Sequence, residues 1–313
     1  MTLNQLRYVI QIADSSSMNE AAKALYISQP SLSASVRELE EEIGMDIFAR
    51  SNRGITLTPA GKEFLGYARQ VVEQYELIEN RYINKGEYKK RFSVSMQHYT
   101  FAVNAFIEVV RQFSPDEYDF SVHETRTGTV IKNVKEYRSE VGILYLNDFN
   151  RKVLTKIFAE NDLSFHELFD CHIYAYISKK HPLAKQESIG FEDLKNYPCL
   201  YFEQGDNSEY LAEEILSENI YPQTIRVTDR STMLNLVKAM NGYTLCSGIV
   251  WGDYNGDGYI VVPYRGDEEN PNSIMEIGYI TKKNSVMSKI GVKYLEEIDK
   301  ALAQIDKSVI YED

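Results

Sequence analysis

Between Ser28 and Gly44 the residues Leu32, Val36, Leu39 and Ile43 recur at helical steps. That spacing places them in one stripe of an α-helix, which must be buried. The other face, through Gln29, Pro30, Ser33, Ala34 and Arg37, is short, polar and nearly uncharged. Such a face is suited to pressing into a groove rather than to mere solvation. Ser28 is placed to N-cap this helix, and Pro30 sits in its first turn, where a missing N–H costs little. Upstream, Ser17 is placed to cap a shorter helix, with Glu20 in its first turn and Ala21, Ala22 and Leu25 inside. Tyr26 and Ile27 make the turn between them. Two short helices joined by a turn of about three residues form a helix-turn-helix. Leu3, Leu6, Ile10 and Ala13 share one face, predicting a first helix over 3–13.

Beyond Gly44, a C′ residue by its position, the pattern changes. Ile47 and Phe48 read as buried, Arg50-Ser51-Asn52-Arg53-Gly54 as a hairpin tip, and Ile55 and Leu57 as a strand. This is a two-stranded wing whose arginines suit phosphate contacts, the alternative being a solvated turn. Thr58-Pro59 then opens a helix predicted to reach about Lys85. Along it Phe64, Ala68, Val71, Tyr75, Ile78 and Tyr82 recur at steps of four and three, a coiled-coil seam about 40 Å long. A second copy of the chain would cover the whole seam. Packing on the chain's own first helices would cover only part of it.

From Arg91 the rhythm is strand and helix in alternation. Strands are expected at Phe92–Met96, Tyr118–His123, Val141–Leu146, His172–Ser178, Cys199–Phe202, Ile225–Thr228, Tyr259–Pro263 and Met275–Thr281. Helices are expected at Phe101–Phe113, Thr127–Tyr137, Ser208–Ser217, Thr232–Met240 and Val286–Ile305. Alternation of this kind predicts an α/β domain with a largely parallel sheet, in two lobes with a cleft between them. Ligands in such sheets collect at strand carboxyl ends, near helix N-termini.

Charge does not establish nucleic-acid binding. The net charge is −12, and residues 1–91 hold 12 basic and 12 acidic groups, so the excess acid lies outside the helix-turn-helix region. Residues 1–60 carry 5 basic against 7 acidic groups, so DNA binding rests on pattern alone. No apolar run is long enough to span a membrane, and the N-terminus lacks the form of a signal peptide, so a cytoplasmic protein is expected. Cys171, Cys199 and Cys246 are odd in number and widely spaced, against a disulfide framework or a zinc cluster. No metal site and no cofactor are expected.

The stretches LRYVIQIADSSSMNEAAKAL and ISQPSLSASVRELEEEIGMDIFARSNRGITLTPAG resemble the N-terminal signature of LysR-type transcriptional regulators, strongly over residues 1–66. Further on, the likeness rests on His181-Pro182-Leu183-Ala184, Asp193-Leu194 and the run Leu236 to Gly242. The resemblance implies a winged helix-turn-helix (1–58), a coiled-coil linker helix (59–90) and a periplasmic-binding-protein-like sensor (91–313). Lobe I of the sensor is expected at about 91–162 and 268–313, and lobe II at about 163–267. It implies a dimer or tetramer that binds promoter DNA under control of a small molecule, with RNA polymerase as a further partner.

By the same resemblance Ser28, Gln29, Pro30, Ser31, Ser33, Ala34 and Arg37 belong to the DNA-reading helix. Arg50 and Arg53 match the wing, and Thr58 the entry to the linker. Ala34 departs from the family, where many members carry arginine, which shifts weight to Gln29, Arg37 and DNA shape. The effector is expected at Gln97, His98, Tyr99 and Thr100, at Arg126, Thr127 and Gly128, at Phe202 and Gln204, and at Ser247 and Gly248. The threonine hydroxyls and Arg126 would suit a carboxylate, unless Glu124 neutralises Arg126. Two other classes fit parts of the sequence. A transport-type solute-binding protein would explain the sensor but not the helix-turn-helix. An enzyme has candidate groups in His98, Cys171, Glu203, Asp229 and Cys246, but not in a nucleophile–base or metal spacing.

Overall fold

The N-terminal residues fold as three helices, α1 (Leu3–Asp14), α2 (Met18–Ala24) and α3 (Gln29–Ile43). Each starts on a hydroxyl: Thr2, Ser17 and Ser28 accept the N–H groups of Gln5, Glu20 and Ser31. Leu32, Val36 and Leu39 pack with Val9, Ile12, Ala21 and Ala22 in one core. The chain leaves α3 through Gly44 at φ +71°, a left-handed conformation that a side chain would strain. This computed structural model describes the chain except residues 16, 52–53, 83–89, 114–117, 206–208, 215–220, 250–257, 266–273 and 305–313. At 50–51, 54, 73, 77, 80–82 and 209 it describes the backbone alone.

The wing is an antiparallel pair, β1 (Phe48–Ser51) and β2 (Gly54–Leu57). Its tip is shorter than expected, because Arg50 and Ser51 pair with Ile55 and Gly54 inside the ladder. Arg53 and the side chain of Arg50 lie outside the described residues. Glu40 fixes the wing to α3: its Oε1 accepts the N–H groups of Ile47 (2.9 Å) and Phe48 (3.0 Å). The linker helix α4 (Pro59–Tyr82) starts on Thr58, whose hydroxyl accepts Gly61 N–H at 2.8 Å and donates to the Asp46 carbonyl at 2.7 Å. Gly61 passes so close to the wing that a Cβ would stand 2.0 Å from the Ile47 carbonyl oxygen.

The expected seam on α4 divides. Phe64 and Ala68 pack on α1 with Leu3, Leu6 and Ile10, as does Val72, so they serve the chain's own core rather than a free seam. The Arg69–Asp14 ion pair (2.5 Å) and Arg7, which meets Glu79 (3.5 Å) and the Tyr75 ring, hold the same packing. Val71 and Ile78 remain 49% and 56% exposed, and Tyr67 and Tyr75 extend the stripe they form. The side chain of Tyr82 lies outside the described residues.

Met1–Tyr88 and Lys89–Asp313 are separate compact units. The second begins β3 (Lys90–Met96), α5 (Thr100–Val110), β4 (Tyr118–Glu124), α6 (Thr127–Lys135), β5 (Val141–Leu146), α7 (Arg151–Glu160) and β6 (Leu163–His172). It continues with β7 (Tyr174–Ser178), β8 (Ile189–Gly190), α8 (Phe191–Leu194), β9 (Cys199–Phe202), a 3-10 turn (Glu209–Leu211), β10 (Thr224–Val227) and α9 (Arg230–Met240). It closes with β11 (Tyr243–Cys246), β12 (Tyr259–Arg265), β13 (Ile274–Lys282) and α10 (Lys289–Leu302).

Two sheets result, in the orders β4-β3-β5-β13-β6 and β10-β9-β11-β7-β12-β8. Both are mixed rather than largely parallel, since β13 runs antiparallel to β5 and β6, and β7 antiparallel to β11 and β12. The strand β6 belongs to the first sheet, so the change of lobe falls after His172, about ten residues later than expected. Its sequence, LSFHELFDCH, carries its acids and histidines on an edge strand, which blurs the alternation that marks a strand. The expected helix over 208–217 is a single 3-10 turn at Glu209–Leu211, and residues 215–220 lie outside the described residues. The short α7 buries only Leu154 and Phe158, too thin a stripe to signal a helix.

Candidate DNA-reading surface and effector cavity

The polar face of α3 is presented rather than packed. Pro30, Ser31, Ala34 and Arg37 are exposed, with Gln29 and Ser33 half-buried. Ser28 caps the helix through its hydroxyl, which also meets Ser31 Oγ at 2.7 Å. The first turn holds no acidic residue, so its positive dipole end is not neutralised and suits a phosphate or a base edge. Arg37 pairs with Glu41 one turn on (3.1 Å), a contact open to solvent on both sides and easily exchanged. Tyr26, read from the sequence only as part of a turn, stands 96% exposed at φ +55° in the corner between α2 and α3. The tight turn carries the left-handed backbone, and the ring stands in solvent.

In the second unit a cavity of about 90 Å³ opens where the ends of β3, β9 and β11 meet α9. Of the expected effector residues, His98, Tyr99, Thr100, Phe202 and Ser247 line it. Gln97, Arg126, Thr127, Gly128, Gln204 and Gly248 do not, and most have another task. Gln97 donates to Thr127 Oγ1 (2.6 Å), and that hydroxyl donates to the Leu211 carbonyl (2.8 Å). Gln204 accepts the Thr127 N–H (3.0 Å) and donates to Glu213 (3.1 Å). Arg126 faces Glu203 at 3.5 Å, not Glu124, and both are partly open to solvent. Gly248 is at φ +73°, and a Cβ there would stand 2.2 Å from the Tyr174 ring, so its part is to let the chain pass.

Sequence reasoning missed Glu213, Glu214 and Arg230. Glu213 Oε2 accepts both the N–H (3.2 Å) and Nδ1–H (2.7 Å) of His98, and the His98 ring lies flat on Phe202 at 3.5 Å. Glu214 Oε1 accepts Phe202 N–H at 3.0 Å. Its Oε2 is buried with no hydrogen-bond partner among the described residues. Burial first, then the neighbouring Glu213, pushes the Glu214 carboxyl well above its usual range. Arg230 lines the cavity with its charge matched by Glu124, at 2.5 Å through Nη2 and 3.4 Å through Nε. Nothing in the sequence tells whether two adjacent glutamates point inward; in the folded chain both are buried.

The remaining candidates have structural parts. Asp229 N-caps α9 by accepting Thr232 N–H (2.8 Å). Burial pushes the Cys246 thiol up to about 11 and Cys171 higher still, so neither is a thiolate at neutral pH. His181 Nδ1 accepts Leu183 N–H, so Nε2 carries the proton and donates to the Asn241 carbonyl (3.0 Å). Among the described residues no group of His, Cys, Asp and Glu is disposed to hold a metal, and no helix is long and apolar enough to cross a membrane.

Residues 3–62 match the family model for bacterial regulatory helix-turn-helix proteins of the LysR family, and residues 94–296 that for the LysR substrate binding domain. The chain is 25% identical to the uncharacterized HTH-type transcriptional regulator YbhD of Escherichia coli, over 93% of this chain and 89% of that one. It is 24% identical to the transcriptional dual regulator GltC of Bacillus subtilis, over 98% and 99% of the two chains. In fold it is similar to a variant of full-length OxyR from Pseudomonas aeruginosa, with a TM-score of 0.68, 20% identity and coverage of 100% and 98%. It is also similar to CbnR, crystallised with its target DNA, with a TM-score of 0.54, 18% identity and coverage of 96% and 100%. With a helix-turn-helix at one end and a two-lobed sensor at the other, both matched, the chain belongs to the LysR family of transcriptional regulators.

Proposed function

We propose that this regulator binds promoter DNA as an oligomer, reading bases with α3 and phosphates with the wing, and that a small molecule in the interlobe cavity alters that binding. The observation that carries the DNA reading is the acid-free first turn of α3, held rigidly by Ser28 and by the buried stripe behind it. Gln29 has the amide geometry for a bidentate pair with adenine, and Pro30 an apolar surface for a thymine methyl. Val71, Tyr75 and Ile78 supply a seam for a second copy, which would set two reading helices at a spacing of about one helical turn of DNA or a multiple of it. The protein works in the cytoplasm, and the promoter-bound form acts on RNA polymerase.

The cavity supports the effector reading because both lobes line it and hydrogen bonds cross between them. Thr100 reaches the Ile249 carbonyl (3.1 Å), and Tyr145 the Ala212 carbonyl (3.1 Å). A ligand there would alter how the lobes close. The expected carboxylate loses its support, since Arg126 and Thr127 are occupied elsewhere. A genome-wide footprint tests the DNA reading: protection should fall on two-fold symmetric sites. Arg50→Ala and Arg53→Ala should each lower the salt slope of log K by about 0.9, as for one lost phosphate contact, on all sequences alike. An unchanged slope with both arginines removed would rule out the wing's part.

A further inference from the structure

The polar inventory of the cavity is unbalanced. Arg230 is matched by Glu124. Glu213 has both oxygens engaged, one by His98 and one by Gln204. Glu214 is 4% exposed and has one oxygen engaged, by Phe202 N–H, while Oε2 faces no hydrogen-bond donor among the described residues. A buried polar atom left without a partner, whether as acceptor or as the O–H of a neutral carboxyl, is costly and calls for an explanation. Leu234, Leu245, Ile249 and Met275 line the same cavity, beside the hydroxyl-bearing Tyr176 and Thr244, and give an apolar surface that fits a short carbon skeleton.

We propose that the small molecule bound between the lobes carries a protonated amine, and that the Glu214 carboxyl receives it while the carbon skeleton lies against the apolar part of the lining. This rests on reading the cavity as the effector site. In the empty protein burial favours the neutral carboxyl, as the raised proton affinity of Glu214 requires. A neutral amine takes that proton, and an ammonium displaces it to solvent. Either route leaves one ammonium–carboxylate pair, so charge balances. A carboxylate ligand would instead meet two glutamates, with Arg230 already matched.

Thermal unfolding of the full chain with butylamine, butyrate and butanol tests this, because the three differ only at the head group. Butylamine at about ten times its dissociation constant should raise the melting temperature by about 3–6 °C, and the other two should not. Glu214→Gln keeps an acceptor for Phe202 N–H, so the fold is retained, and it should abolish the amine effect. Leu234→Trp, which fills the cavity from the half-buried face of α9, should abolish it too. An amine effect that survives Glu214→Gln, or no effect of butylamine on the wild type, overturns the proposal. If butyrate or butanol stabilises the wild type and Leu234→Trp removes that effect, the cavity is the site but the amine is wrong. If Leu234→Trp leaves a stabilising probe fully effective, the effector reading of the cavity itself fails.

Discussion

The reading face of α3 and the lining of the sensor cavity handle polar groups in opposite ways. On α3 short polar side chains stand outward on a helix whose other side is fully buried, so they are fixed in place yet cost nothing to keep in water. In the cavity charged side chains are turned inward, and nearly every one is matched inside the protein: Glu213 by His98 and Gln204, Arg230 by Glu124. The surface gains its selectivity from what arrives, whereas the cavity has already spent most of its polar capacity on itself. The Glu214 carboxyl, buried with one oxygen engaged and Oε2 without a hydrogen-bond partner among the described residues, is therefore informative in a way that no single residue of α3 is.

The difference can be tested in order of effect. The largest is expected from Val71→Glu with Ile78→Glu, which puts charge on the proposed seam. Loss of the second copy should weaken promoter binding by about a hundredfold or more while leaving binding of small amines unchanged. Sedimentation showing the wild-type oligomer would dismiss the seam. Next, Gly61→Ala forces a methyl onto the Ile47 carbonyl at the junction of wing and linker. It should destabilise the N-terminal unit by about 1–3 kcal/mol, seen as an earlier denaturant transition, with the sensor transition unmoved.

Gln29→Ala should cost about 1–3 kcal/mol on the cognate site and much less on random DNA. Equal losses on both would mean that α3 contributes no base discrimination through this residue. Near the ordinary carboxyl value the effect in the cavity is the smallest, and it depends on pH. Because Glu214 binds its proton more tightly folded than unfolded, its contribution is full below the ordinary carboxyl value of 4.5 and is lost as pH rises toward the folded value. Glu214→Gln should therefore unfold like the wild type in acid and become the more stable protein as pH rises. The gap should grow by at most about 1.4 kcal/mol per pH unit, then level off. Denaturant curves at a series of pH values read this directly, and parallel curves would show that the buried carboxyl does not set the sensor's stability.

How much was legible in advance follows the range of the interactions. Ser17, Ser28 and Gly44 mark helix ends through bonds that reach only a few residues, and the stripe on α3 repeats within one helix. All are present in the linear pattern. The seam on α4 was half legible: its period is local, but the partner of each face is not. Only the folded chain assigns Phe64 and Ala68 to α1 and leaves Val71 and Ile78 free. The part that His181 plays, named in the sequence only as part of the family likeness, is a staple between two turns of lobe II.

By itself, then, the sequence determined the helix-turn-helix, the wing, the linker helix and the two-lobed α/β sensor, because periodicity and capping act over a few residues. It also determined which face of α3 is free, since the buried stripe leaves only one. The tertiary structure alone decided the cavity. Its residues come from positions 98–100, 176, 202, 213–214, 230, 234, 244–247, 249 and 275, brought together by a mixed sheet and by two crossings of the chain between lobes. No local pattern tells an inward glutamate from an outward one. That depends on which groups lie within about 3 Å once the lobes meet.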